Sequence, residues 1–216
     1  MAMNTYALLN TALIEWLNRS GFTTLTDRTE DLIAMGQRRI HRTCDLNVME
    51  TVLATFSQST ETKATPTGYL RTKSMSIQDG NTNHAINGTA YKNVLSAGRS
   101  GRPAYYAVIG SNFHYGPIPD QSYSIDLVYY AALDILSTSN TTNWIATNVP
   151  ELLLFAALYE AAIWLKDDVR KQEFGARFEE IKKELLDSED RQDKEGGSLQ
   201  VREQVDRFND GTSLSY

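Results

Sequence analysis

The chain has 216 residues, 41% apolar and 22% charged, enough to bury roughly 70–75% of its unfolded surface, so folding requires neither a disulfide nor a metal. Its formal charge of −6 argues against an autonomous nucleic-acid binder, which presents a basic face. One cysteine, Cys44, excludes an intrachain disulfide and fits assembly in a reducing cytoplasm.

Residues 1–10 lack a cationic segment and a small-residue cleavage site, so no signal peptide is expected. Residues 4–19 predict a helix: Tyr6, Leu9, Leu13, Trp16 and Leu17 recur at helical spacing as a core-facing stripe, and Gly21 supplies a stop. A second helix is expected over 27–43. Asp27 and Glu30 stand at capping-box spacing, Leu32, Ile33, Gly36 and Ile40 form a narrow stripe, and Arg38, Arg39, His41 and Arg42 load the last turn. Gly36 suggests a close helix approach. Cys44 reads as a small buried hydrophobe at the helix end.

From 46 the helical period fades. Strands are expected over 48–58 and 68–78, with a turn at Asp79-Gly80-Asn81 and a short helix or irregular link over 89–95. Residues 101–120, GRPAYYAVIGSNFHYGPIPD, read as an aromatic hairpin turned at Gly110-Ser111-Asn112 and ended by Gly116-Pro117. Over 122–130, Tyr123, Ile125, Leu127 and Tyr129 alternate with polar residues, a strand wet on one side only. Together these predict a small antiparallel sandwich or barrel.

After a polar linker at 137–143, Pro150 marks a first helical turn. Residues 151–165 are apolar on almost every side, as in a helix at the middle of a bundle. The run 152–165 contains Glu160 and is shorter than the ~20 residues that span a bilayer. Asp168 is expected to cap a last helix over 169–190, with Phe174, Phe178, Ile181 and Leu185 as its stripe. The tail from 191 has a Gly-Gly break and sparse apolar anchors, Leu199, Val201, Val205, Phe208, Leu214 and Tyr216. This suits a segment that orders on a partner, and equally a plain disordered end.

No motif carries chemistry, and no catalytic residue, metal ligand or cofactor is assigned. His41, His84 and His114 form neither HExxH nor a Cys–His zinc spacing and read as surface or strand residues. Asp79-x-Asn81-x-Asn83 imitates a calcium loop but has His84 and Ala90 where Gly and Glu are needed. Gly98-x-x-Gly101 with Arg99 and Arg102 lacks a following helix N-terminus. An enzyme is not expected. Eleven tyrosines suit interfaces that are both packed and wet, and equally a Tyr-rich β-core.

The fold class expected is therefore α+β: a four-helix bundle (1–45 and 146–190), an inserted antiparallel β-domain (46–136), and an extended C-terminal tail (191–216). With that order go Gly101-x-Pro103-x-x-Tyr106, Tyr115-Gly116-Pro117-x-Pro119-Asp120, Tyr123, Tyr129-Tyr130, Asn143-Trp144 and Asn148-x-Pro150-x-Leu152-Leu153. On these motifs, over about residues 4–190, the chain resembles head-to-tail adaptor (connector) proteins of tailed bacteriophages, particularly short-tailed ones. The resemblance implies a structural virion protein, assembled in the host cytoplasm as a ring of roughly twelve subunits under the portal protein, with no membrane partner. The bundle would form the ring body and the tail anchors would dock on the portal. Phe113, Tyr115, Pro117 and Pro119 would face a neighbour or a tail nozzle, tube or fibre protein, and DNA would pass through unread. Gly101, Pro103, Tyr106, Pro119, Tyr129 and Pro150 are the landmarks. The alternative is a carbohydrate- or receptor-binding module mounted on helices. A cell-wall hydrolase ranks third.

Overall fold

The computed structural model describes residues 3–18, 23–80, 82–97 and 99–195. Gly21, Asn81, Gly98 and the tail anchors from Leu199 to Tyr216 lie outside the described residues. The chain is α+β, with seven α-helices and two four-stranded sheets among those residues.

Helix α1 (Tyr6–Leu17) is capped by Thr5, whose hydroxyl accepts from the Leu8 amide at 3.4 Å, and ends on Asn18 in the left-handed conformation. Its stripe buries Tyr6, Leu9, Leu13 and Leu17, but Trp16 is 52% exposed. Trp16 meets the Phe155 ring of the helical core at 5.3 Å in a T-shaped pair. The expected helix over 27–43 is two helices, α2 (Thr23–Thr26) and α3 (Thr29–Thr43). No capping box forms: Arg28 occupies the cap without a side-chain bond, and Thr29 donates its hydroxyl to the Thr26 carbonyl at 2.9 Å.

After a 3-10 turn at Asn47–Met49 come β1 (Glu50–Gln58), β2 (Thr62–Ala64), β3 (Tyr69–Asp79), β4 (Thr82–Ala85) and β5 (Asn87–Gly88). A short helix, α4 (Tyr91–Ser96), precedes β6 (Tyr105–Ile109), β7 (Asn112–Gly116) and β8 (Tyr123–Ala131). One sheet has the order β1-β8-β3-β4 and is antiparallel; β8 lies inside it and strictly alternates buried and half-buried positions up to Tyr129. The other has the order β2-β7-β6-β5, antiparallel except for the β5–β6 pair. Met75, Ile77, Ile125 and Leu127 of the first sheet share one core with Phe113 and Tyr115 of the second. The two sheets therefore pack face to face.

The remaining helices are α5 (Trp144–Asn148), α6 (Pro150–Leu165) and α7 (Asp168–Glu195). Pro150 opens α6, where its missing N–H costs nothing. Helices α1, α3, α5 and α7 all contact α6, whose residues Leu152–Leu154, Ala156–Leu158, Ala161 and Ala162 are buried. Each buried leucine stabilises by roughly 1.5–3 kcal/mol. Its C-terminal end departs from expectation: Ile163 and Trp164 are exposed. Asp167, not Asp168, caps α7, accepting from the Arg170 amide at 3.1 Å. Phe174, Phe178 and Ile181 are buried as expected, and the helix continues to Glu195, past the expected boundary at 190. Cys44 is buried at the end of α3, and burial raises its thiol pKa.

Two side chains tie the helices to the β-region. Gln37, fully buried on α3, donates its amide to the carbonyls of Leu133 (3.3 Å) and Asp134 (2.8 Å) and accepts from the Leu136 amide at 3.1 Å. Arg71 of β3 donates to the carbonyls of His41 (3.3 Å) and Cys44 (2.7 Å) and pairs with Asp45. It thereby satisfies carbonyls that the end of α3 leaves open.

Candidate functional site

The hairpin singled out in the sequence consists of β6 and β7, with Gly110 at φ +59° supplying the turn. Its aromatics point inward. Phe113 and Tyr115 are 0% and 1% exposed; Phe113 lies edge-on to Tyr69 at 5.2 Å and to Tyr106 at 5.9 Å. This corrects their expected place at an outer contact surface: strand alternation sends Phe113 and Tyr115 together into the core, while Asn112 is exposed and His114 half-buried. Pro119 is buried too and Pro117 half-buried, following a cis Gly116-Pro117 bond. The Tyr115 hydroxyl has no hydrogen-bond partner among the described residues, and burial, with Tyr106 adding, pushes its pKa well up. Gly116 is required for packing, since an added Cβ would lie 2.7 Å from the Val94 carbonyl oxygen of α4.

The other landmarks are dispersed. The Gly101 amide donates to the Ile118 carbonyl at 2.8 Å. Pro103 is buried. Tyr106 pairs across the hairpin with Tyr115 and its hydroxyl lies against Gly88. Tyr129 is buried in the centre of its sheet between Thr51 and Thr72. Pro150 lies in the helical part. These residues support the fold and do not converge on one pocket. Among the described residues no group of three or more His, Cys, Asp or Glu could hold a metal ion. No described helix is long and apolar enough to cross a membrane.

What the hairpin does expose is aliphatic or mixed: Tyr105, Val108 and Ile109 on β6, Ile118 after β7, and Leu95 on the adjoining α4. A glycan-stacking surface would need exposed aromatic faces, and of the hairpin's three tyrosines and one phenylalanine only Tyr105 is exposed. Of the histidines, His41 is buried rather than at the surface; its Nε2 has no hydrogen-bond partner among the described residues, and burial lowers its pKa.

The helical side carries a more distinct feature. Trp16 of α1 and Phe155 of α6 meet edge to face at 5.3 Å, and with Glu173, Ala176, Arg177 and Glu180 of α7 they line an open groove of about 410 Å³. Phe174 backs Phe155 at 6.2 Å. The groove has an apolar floor and an ionic rim, in which Arg177 and Glu180 pair at 2.6 Å. An apolar floor with a polar rim is the make-up of a protein-contact surface. Sequence reasoning assigned Trp16 to the core and so missed it.

The model of the SU10 adaptor protein family matches residues 4–202. The chain belongs to that family. The match runs from α1 through both sheets to the end of α7, so it covers the helical and β-parts as one unit. SU10 adaptor proteins are phage head–tail adaptors, which makes this chain a structural virion component. No curated protein matches the chain.

Proposed function

We propose that this adaptor assembles as a ring of roughly twelve copies joining the capsid portal to the tail, of the kind found in short-tailed phages, without catalysing a reaction. The observation that carries the reading is the family match over 4–202, spanning helices, sheets and the start of the C-terminal tail. In this reading the helices around α6 form the ring body. The tail 191–216, helical as far as Glu195, presents Leu199, Val201, Val205, Phe208, Leu214 and Tyr216 to the portal. The β-region, with Val108, Ile109 and Ile118 exposed, faces the next tail component, a nozzle, tube or fibre protein. Assembly takes place in the host cytoplasm.

Charge supports passage of DNA through such a ring. Twelve copies of a −6 chain sum to about −72, and a wall sharing that charge repels phosphate and offers little counterion release. A tail that orders only on the portal would link ring assembly to the portal's presence, because the new interface offsets the ordering entropy. Deleting residues 197–216 tests the tail's role. The truncated chain is expected to keep its circular dichroism spectrum and melting temperature but to lose capture by immobilised portal rings. Undiminished capture would contradict the assignment.

A further inference from the structure

A closed ring needs two different, complementary patches on each copy, and the helical part presents such a pair. On α3, the core-facing residues Ile33, Gly36, Gln37 and Ile40 leave Asp31, Met35, Arg38 and Arg42 on the opposite side, one turn apart from each other. Met35 is 46% exposed. Asp31 is paired with Arg28 at 3.2 Å, and Arg39, on the inner flank, is held by Glu160 at 2.8 Å. Arg38 and Arg42 have no ion pair among the described residues. The stripe is therefore one exposed apolar side chain followed by two uncommitted cations.

The groove of Trp16, Phe155 and Ala176 is its counterpart. Glu173 has no ion partner among the described residues and Glu180 only Arg177, and Glu184 and Asp187 extend the same line of α7. The alanine at 176 contributes only a methyl group, which leaves the floor open to a side chain the size of methionine. The two patches lie on different helices that flank α6, with Arg39 of α3 and Gly175 of α7 both against Tyr159. Gly36 of α3 packs on α6 at Ala156 and Ala157, where an added Cβ would meet the Ala157 amide nitrogen at 2.7 Å. Phe155, two residues from Ala157, projects about 200° around the helix from it. A stripe facing outward from α3 and a groove across α6 cannot meet within one copy.

We propose that copies dock head to tail, Met35, Arg38 and Arg42 of one entering the Trp16–Phe155–Ala176 groove and meeting Glu173 and Glu180 of the next. The proposal rests on the adaptor-ring reading and names the surfaces that build the ring. Opposite charge selects the register, and burial of Met35 against Trp16 and Phe155 supplies the apolar centre.

The test is charge reversal in the full chain, read by sedimentation velocity alone and by copies bound per portal ring in native mass spectrometry. All four reversed positions are exposed, and circular dichroism checks that each variant is folded. Arg38→Glu with Arg42→Glu is expected to abolish species larger than the monomer and to lower portal occupancy at least tenfold. Adding Glu173→Arg and Glu180→Arg to the same chain is expected to restore both, because each reversed stripe again meets an opposite groove. Assembly of the first variant like the parent, or no recovery in the second while it is folded, overturns the docking proposal. If the parent fills the portal and reversal changes nothing, the docking fails and the adaptor reading stands. If the parent neither self-associates nor binds the portal, both fall.

Discussion

At the scale of single residues, the contact between α3 and α6 depends on the absence of a side chain at Gly36. Alanine there would gain about 1 kcal/mol of helix propensity. Its Cβ would also press on α6 backbone at 2.7–3.0 Å, and overpacking costs about 1–3 kcal/mol. The contacted atoms are backbone and cannot rotate away, so Gly36→Ala is expected to be destabilising in urea unfolding. At Tyr115 the ring matters and the hydroxyl does not: Tyr115→Phe should be neutral or stabilising, since it removes an unpartnered buried polar atom, whereas Tyr115→Ala should cost about 3–5 kcal/mol. His41 gives a pH signature. Burial lowers its pKa below the ordinary 6.5, so the unfolded chain takes up the proton first. The stability due to neutral His41 is then complete above about pH 6.5 and declines as pH falls below it. The melting temperature is expected to drop between pH 7 and pH 5, and His41→Leu should reduce that drop. Gly36 was legible in the sequence because it interrupts an apolar stripe. The inward turn of Phe113 and Tyr115 was legible in principle from their alternation with Asn112 and His114. Aromatic richness suggests both cores and interfaces, and the alternation is what decides between them.

At the scale of elements, the buried Gln37 amide ties the connection from β8 to α5 onto α3. Gln37→Ala would leave the Leu133 carbonyl and the Leu136 amide without their side-chain partner, while the Asp134 carbonyl keeps the Asn143 amide at 3.1 Å, a loss of about 1–3 kcal/mol for each group left unsatisfied in the interior. Hydrogen exchange should show it locally: the Leu136 amide is expected to lose protection while amides in the middle of α6 lose only what global stability loses. The existence and type of α1, α6, α7 and the strands β1, β3, β6, β7 and β8 were legible from period alone. The ends were less so. Asp167 and Asp168 are adjacent carboxylates, and local backbone geometry, not residue type, selects Asp167 as the cap. The α5 turn, opened by Asn143 accepting from the Ala146 amide at 2.9 Å, falls between the polar linker expected over 137–143 and the helix expected from Pro150, and was not expected. Its signal was an Asn followed by Trp-Ile-Ala. The groove was not legible, because Trp16 fits a helical apolar stripe and only the packing of α6 and α7 shows that no described element covers it.

At the scale of the whole molecule, the acidic chain should ignore nucleic acid. Neither the free chain nor the proposed ring is expected to shift duplex DNA in a gel at about 150 mM salt. Binding with a steep salt dependence would reveal a basic channel that the −6 charge does not suggest. The helices around α6 and the two sheets have their own hydrophobic clusters, and Leu70 of β3 and Tyr130 of β8 pack on the helical one beside the Gln37 and Arg71 ties. Such a body suits a part that bridges two different neighbours. The most direct measurement is native mass spectrometry of the purified portal ring with and without the full chain. About one added copy per portal subunit is the result expected of an adaptor ring. A portal mass unchanged in the presence of excess chain would contradict the account.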